Sequence, residues 1–275
     1  MINHLIKIFA IMTLVLVSFS AYAEEPFSQA EYPETIIGPT LFPKTTFHVY
    51  FDYQQQSNGI DSVDVFTLNP GGSISIIPGT FAISVDAWMD IFSGDASGFR
   101  FEGFGLGGVW AFYNKKPVVL STGVDFRLVN QNFDRVGGAD VFETRPFLAA
   151  GIGIMWFFLS PYVGLPMSFD INDDNDNTLF PDRNVNRWDA AHDFAMAIDY
   201  GIPLSFGLLN FLHLAIEPSG ITYLRPDVRT ELYLTPGIIL KGGLFILRAG
   251  VKIRLYPEDS DYRRYNLVVR GGINF

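Results

Sequence analysis

The sequence predicts an all-β chain: a transmembrane, antiparallel, up-and-down β-barrel of about 12 strands. Three observations carry that expectation. Segments of alternating polarity recur along residues 45–275, and a strand places successive side chains on opposite faces. The connections alternate between longer Gly/Asp-rich or charged loops and very short turns. The composition has 26 Phe, 12 Tyr and 26 Gly at 48% hydrophobic residues, yet a bland average hydropathy. Apolar residues facing lipid, offset by polar residues and glycine facing a lumen, give such an average.

Residues 1–23 read as a cleaved secretory signal peptide. Lys7 supplies the positive n-region, residues 8–19 the apolar core, and Ala21-Tyr22-Ala23 the cleavage site. The apolar run is shorter than the roughly 20 residues of a membrane helix. Residues 24–44 form a Pro/Glu-containing lead, expected either outside the barrel or folded into its lumen as a plug. Strands are predicted at 45–54, 62–68, 80–92, 99–113, 117–129, 145–157, 160–171, 192–205, 211–224, 230–241, 244–256 and 265–275. Long loops fall near 55–61, 93–98, 130–144, 172–191, 225–229 and 257–264. Short turns are predicted at Asn114-Lys115-Lys116, Phe158-Leu159, Phe206 to Asn210 and Gly242-Gly243, with 69–79 long for its class. Residues 146–169 carry no charge and could suggest a membrane helix, but Pro161 and Pro166 interrupt them and they alternate like paired strands. Aromatic residues gather at strand ends: Phe112, Tyr113, Trp156, Phe157, Phe206, Phe211 and Phe275 at one, and Tyr53, Trp188, Tyr223, Tyr256 and Tyr265 at the other.

The last segment alternates Tyr265, Leu267, Val269, Gly271, Ile273 and Phe275 with Asn266, Val268, Arg270, Gly272 and Asn274. A terminal strand ending on an aromatic residue resembles the closing strand of Gram-negative outer-membrane β-barrels. The resemblance covers nearly the whole of residues 24–275 at the level of architecture. It implies an outer-membrane location, periplasmic termini, contact with outer-membrane lipid and lipopolysaccharide, and recognition by the barrel-assembly machinery through the strand ending in Phe275.

Fixing each strand's register by its apolar parity gives a list of lumenal residues. Lys241, Arg248, Lys252, Arg254 and Arg270 would form a basic wall on three sequential strands. His48, Asp52, Asp86, Asp125, Asp193, Asp199, Glu217 and Glu231 would form acidic and polar walls elsewhere. Opposed walls produce a transverse field that orients charged solutes. The alternative is that these charges pair across the sheet and fill the interior.

Other chemistries are weaker. The chain has no cysteine, which removes disulfides, thiol catalysis and cysteine metal sites. The net charge of −10 argues against nucleic-acid partners. A phospholipase-like His-x-Ser pair is missing, since Tyr50, Phe194 and Ala215 follow His48, His192 and His213 at that spacing. His213 and Ser219 share a face but lie about 20 Å apart. Asp170, Asn172, Asp174 and Asp176 alternate as calcium ligands do, although Asn175 and Pro181 replace the Gly and Glu of an EF-hand. A solvated acidic loop is the plainer reading. No cofactor is implied. The functional expectation is a non-enzymatic outer-membrane channel for passive diffusion, with or without selectivity, of small polar or anionic solutes. A non-conducting structural or surface-interaction barrel stands second, and a lipid-modifying enzyme a distant third.

Overall fold

A computed structural model describes residues 35–57, 62–94, 97–129, 141–154, 156–170, 194–224, 229–256 and 265–275. The strand segments are β1 (Thr46–Ser57), β2 (Ser62–Ile77), β3 (Phe81–Gly94), β4 (Gly98–Lys115), β5 (Val118–Val129) and β6 (Val141–Ile154). They continue with β7 (Phe157–Leu159), β8 (Tyr162–Gly164), β9 (Met167–Asp170), β10 (Phe194–Gly201) and β11 (Leu204–Leu209). Last come β12 (Leu212–Tyr223), β13 (Arg229–Gly242), β14 (Phe245–Tyr256) and β15 (Tyr265–Asn274). Every pairing is antiparallel, and β1 pairs with β15 from Thr46↔Asn274 to Tyr53↔Leu267. That pairing closes the sheet into a barrel of 12 passes, in which β7–β9 make the seventh pass and β10–β11 the eighth. Full closure leaves no strand edge unpaired, as a structure spanning lipid requires.

Apolar side chains face out and polar ones face in along each pass. In β4, exposed Phe99 and Phe101 alternate with buried Arg100 and Glu102. The phase then slips by one, because the next exposed residues are Phe104 and Leu106. Gly103 sits at the slip with φ of +150°, beside a bulge in β4: Trp88 faces Gly103 and Met89 faces Phe101, leaving Glu102 as the extra residue. A Cβ on Gly103 would overlap the carbonyl oxygen of Leu128, so only glycine fits.

The structure corrects several predicted boundaries. The stretch 69–79 is not a long turn: β2 continues through Asn69 and Pro70 to Ile77. Pro70 has no N–H for the ladder, and Asn69 compensates by donating from Nδ2 to the carbonyl of Ala87 at 2.9 Å. Phe158 and Leu159 are not a turn either. They belong to β7, and Phe158 is buried. The seventh pass is cut into three by Pro161 and Pro166, and the eighth into two by Pro203. Proline carbonyls still accept across the breaks, from Ala150 to Pro161, Ser160 to Pro203 and Ala197 to Pro166, at 2.8–2.9 Å. Phe206 lies inside β11, and the turn falls at Asn210-Phe211. The uncharged run 146–169 forms strands, as its alternation indicated. Tyr223 does not join the aromatic belt at the strand ends. It is 4% exposed and lines the lumen.

Candidate lumenal site

Residues 35–45 lie inside the barrel at the end where the short turns are. Ile36 is fully buried against Ala215, Ile239, Ile246 and Val268 of β12–β15. Leu41 and Phe42 reach the opposite side and pack with Ala111, Val119, Phe147, Ala149 and Phe158. Polar groups on the wall hold the segment's backbone. The carboxylate of Glu217 accepts from the N–H of Ile36, and from that of Ile37 at 2.8 Å. Arg248 Nη1 donates to the Thr35 carbonyl at 3.0 Å, Ser73 Oγ to Lys44 at 2.6 Å, and Ser121 Oγ to Leu41 at 2.5 Å. A buried carboxylate binding two amides is a strong, directional anchor. Burial, with Arg248 and Lys241 adding like charge, pushes the Lys44 ammonium well below its usual range.

Beside this segment the lumen holds a cavity of about 560 Å³, lined in part by Tyr50, Asp52, Asp86, Trp88, Arg145 and Arg270. Charged side chains pair around it by a recurring device. His48 on β1 and Asp86 on β3 bond at 2.7 Å over the β2 residue between them, Gly71. A Cβ on Gly71 would lie 2.7 Å from His48 Nε2 and closer still to Asp86 Oδ1. Arg145 on β6 and Asp199 on β10 pair in the same way beside Gly164 of β8, with Asp125 3.8 Å from Arg145. A side chain at these two glycines would collide with the ion pairs.

The predicted basic residues do line successive strands β13–β15, and Arg248 and Arg270 stand directly opposite each other in the ladder. Both guanidinium groups lie over the ring of Tyr50, at 5.6 and 4.6 Å. Lys252 lies 4.0 Å from the centroid of Tyr233. The segregation of sign is coarser than two opposed walls. Glu231 is fully buried within the basic wall, paired with Arg254 at 3.6 Å and accepting from Tyr233. Arg145 sits among the acids of β5, β6 and β10, and Arg127 pairs with Glu143 at 3.5 Å. Asp199 and Glu217 are therefore already engaged, by Arg145 and by the 35–45 segment. Sequence reasoning placed Asp90 near the outer end of its strand but missed Arg145, Trp88, and the Arg100 and Glu102 that form a buried cluster with Asp90, in which Arg100 lies 3.4 and 3.0 Å from the two carboxylates. Arg145 shares parity with Phe147 and Ala149, the signal that could have found it.

Residues 1–34, Asn172, Asp174, Asp176, Trp188, His192 and Asp193 lie outside the described residues, and Asp170 is described only as the end of β9. No group of three or more His, Asp or Glu suited to a metal occurs among the described residues.

No protein-family model matches the chain, and no curated protein matches it. Solved structures do. An outer membrane channel from Pseudomonas putida F1 aligns with a TM-score of 0.59 at 14% identity, covering 92% of this chain and all of that one. The fold is that of a Gram-negative outer-membrane β-barrel. The translocator domain of the autotransporter NalP from Neisseria meningitidis aligns at a TM-score of 0.46 and 12% identity, over 99% of this chain and 98% of that one. The transport unit of the autotransporter AIDA-I from Escherichia coli gives 0.45 and 11%, over 89% and 93%. In fold, the barrel is similar to that channel.

Proposed function

We propose that this barrel resides in the outer membrane and passes small polar or anionic solutes by passive diffusion. The observation that carries the reading is the charged cavity inside a closed barrel, beside the paired Arg248 and Arg270 over Tyr50. Guanidinium groups bind carboxylate and phosphate in fixed fork geometry, so Arg248 and Arg270, which line the cavity, suit the anionic part of a solute, while Arg254 is held by Glu231. A charged lumen of this size selects among ions through its wall potential.

The test is single-channel recording of the refolded barrel in a planar bilayer, with the reversal potential in a salt gradient. Discrete anion-selective steps are expected. Replacing Arg248 and Arg270 by glutamine should shift the reversal potential toward cation preference; unchanged selectivity would overturn their role. A second reading, a non-conducting barrel with a structural or surface role, is favoured by the 35–45 segment anchored within the lumen. Silence from folded, inserted protein would favour it. Membrane fractionation would test the location, and outer-membrane assembly of a variant lacking Phe275 the role of the closing strand.

A further inference from the structure

We infer that the lumen holds a binding site for small zwitterionic solutes, with Asp52 taking the cationic group and Arg270 the anionic one. The inference rests on the channel reading for solute access only. It starts from which lumenal charges are satisfied. His48 bonds to Asp86, Arg145 to Asp199 and Asp125, Arg127 to Glu143, Arg254 to Glu231, and Arg100 to Asp90 and Glu102. Glu217 is taken by two backbone amides.

Asp52 and Arg270 differ. Neither residue joins an ion pair within 4 Å among the described residues, and Asp52 Oδ1 and Arg270 Nε are buried atoms without a hydrogen-bond partner; Arg270 and Lys252 act on the Asp52 carboxyl only through space. Both line the same cavity. They are close: Tyr50 faces Arg270 and Asp52 faces Val268 in the β1–β15 register, so the pair are diagonal neighbours on one face of adjacent strands. The hydroxyl of Thr67, opposite Asp52 on β2, donates instead to Asp90 at 2.6 Å. On the other side, Arg248 directly opposite Arg270 repels it and keeps the guanidinium poised for an external anion.

An unpaired charge in a lumen is costly, and the cost is relieved by a ligand bearing the complementary charge. Here one ligand can relieve two at once. A carboxylate spans Arg270, with Arg248 within reach of the same group, while an ammonium on the same molecule meets Asp52. The cavity of about 560 Å³ admits a molecule of amino-acid size. A simple anion satisfies Arg270 but leaves Asp52 unpaired and adds a repulsion to it. A simple cation does the reverse. The site therefore discriminates by charge pattern rather than by net charge.

The test is isothermal titration of the detergent-solubilised full barrel with β-alanine, propionate and propylamine. β-Alanine is expected to bind about tenfold or more tightly than either single-charge control, the value of one further charge-assisted hydrogen bond. Asp52→Asn should bring β-alanine down to the level of propionate without weakening propionate. Arg270→Gln should weaken both about tenfold. Heat-modifiable migration on gels establishes that each variant is folded, and the three-ligand comparison on the unaltered protein needs no variant. Equal binding of β-alanine and propionate, or indifference of β-alanine to Asp52→Asn in a folded barrel, overturns the inference. Conductance is read separately. A conducting barrel without zwitterion preference sinks this site alone, whereas a silent barrel that binds β-alanine sinks the channel reading alone.

Discussion

Replacing Glu217 should free residues 35–45 from the lumen wall. Its carboxylate is 1% exposed and accepts from two backbone amides, those of Ile36 and Ile37. A hydrogen bond to a charged group contributes about 1.5–3 kcal/mol, so the two together hold the segment by about 3–6 kcal/mol. Glu217→Ala removes both and leaves two amides to water; Glu217→Gln keeps one neutral acceptor and places its amide NH2 against the other N–H. At about 1.4 kcal/mol per factor of ten, the undocked population should rise by about two to four orders of magnitude in the alanine variant. Ile36 burial and the Arg248–Thr35 bond remain, so the segment loosens rather than leaves. The chain has no native cysteine, which makes the assay clean. A single cysteine at Leu41, buried at 4% exposure, is timed against a membrane-impermeant maleimide in liposomes. Labelling should accelerate by about two orders of magnitude or more with Glu217→Ala, and less with Glu217→Gln. Equal labelling rates in folded barrels would refute the anchoring role of the carboxylate.

The remaining predictions test the pairs around the cavity. Gly71→Ala should destabilise the barrel by about 1–3 kcal/mol in urea unfolding, because the new methyl overlaps the His48–Asp86 bond. Gly271→Ala, whose Cβ would meet only Val49 O at 4.0 Å, should be close to neutral in the same assay. Arg254→Ala should cost about 3–5 kcal/mol by stranding the fully buried Glu231, and Glu231→Gln in the same chain should recover part of it. Arg145→Met should release Asp199 and Asp125 together and raise cation preference in bilayer recordings, the same direction as neutralising Arg248.

Alternation in the sequence located all twelve passes, because the period of two survives wherever one face meets lipid. It failed where the backbone departs from that period. The slip at Gly103 put Arg100 and Glu102 on a parity that no single register of the strand could give, so that strand yielded no lumenal residue from sequence. Pro70 read as the end of a strand because the side-chain amide of Asn69, which replaces its missing N–H, is a tertiary contact. Proline in the seventh and eighth passes shifted the turns for the same reason: a strand can be interrupted and still be held by its neighbours' ladders.

Away from such slips the inward side of a strand was legible, but the partners were not. His48 meets Asp86 across an intervening strand, and Arg145 meets Asp199 across another, so each pair depends on the stagger of three strands rather than on two neighbours. Many of the charges read as opposed walls turn out to be paired locally, two of the pairs packed against glycine. The consequence for function is that net wall charge is a poor guide to what the lumen binds. Selectivity should follow the few groups that stagger leaves unpaired. Asp52 and Arg270 are such a pair, and their opposite signs on adjacent strands make charge pattern, rather than total charge, the quantity a solute must match.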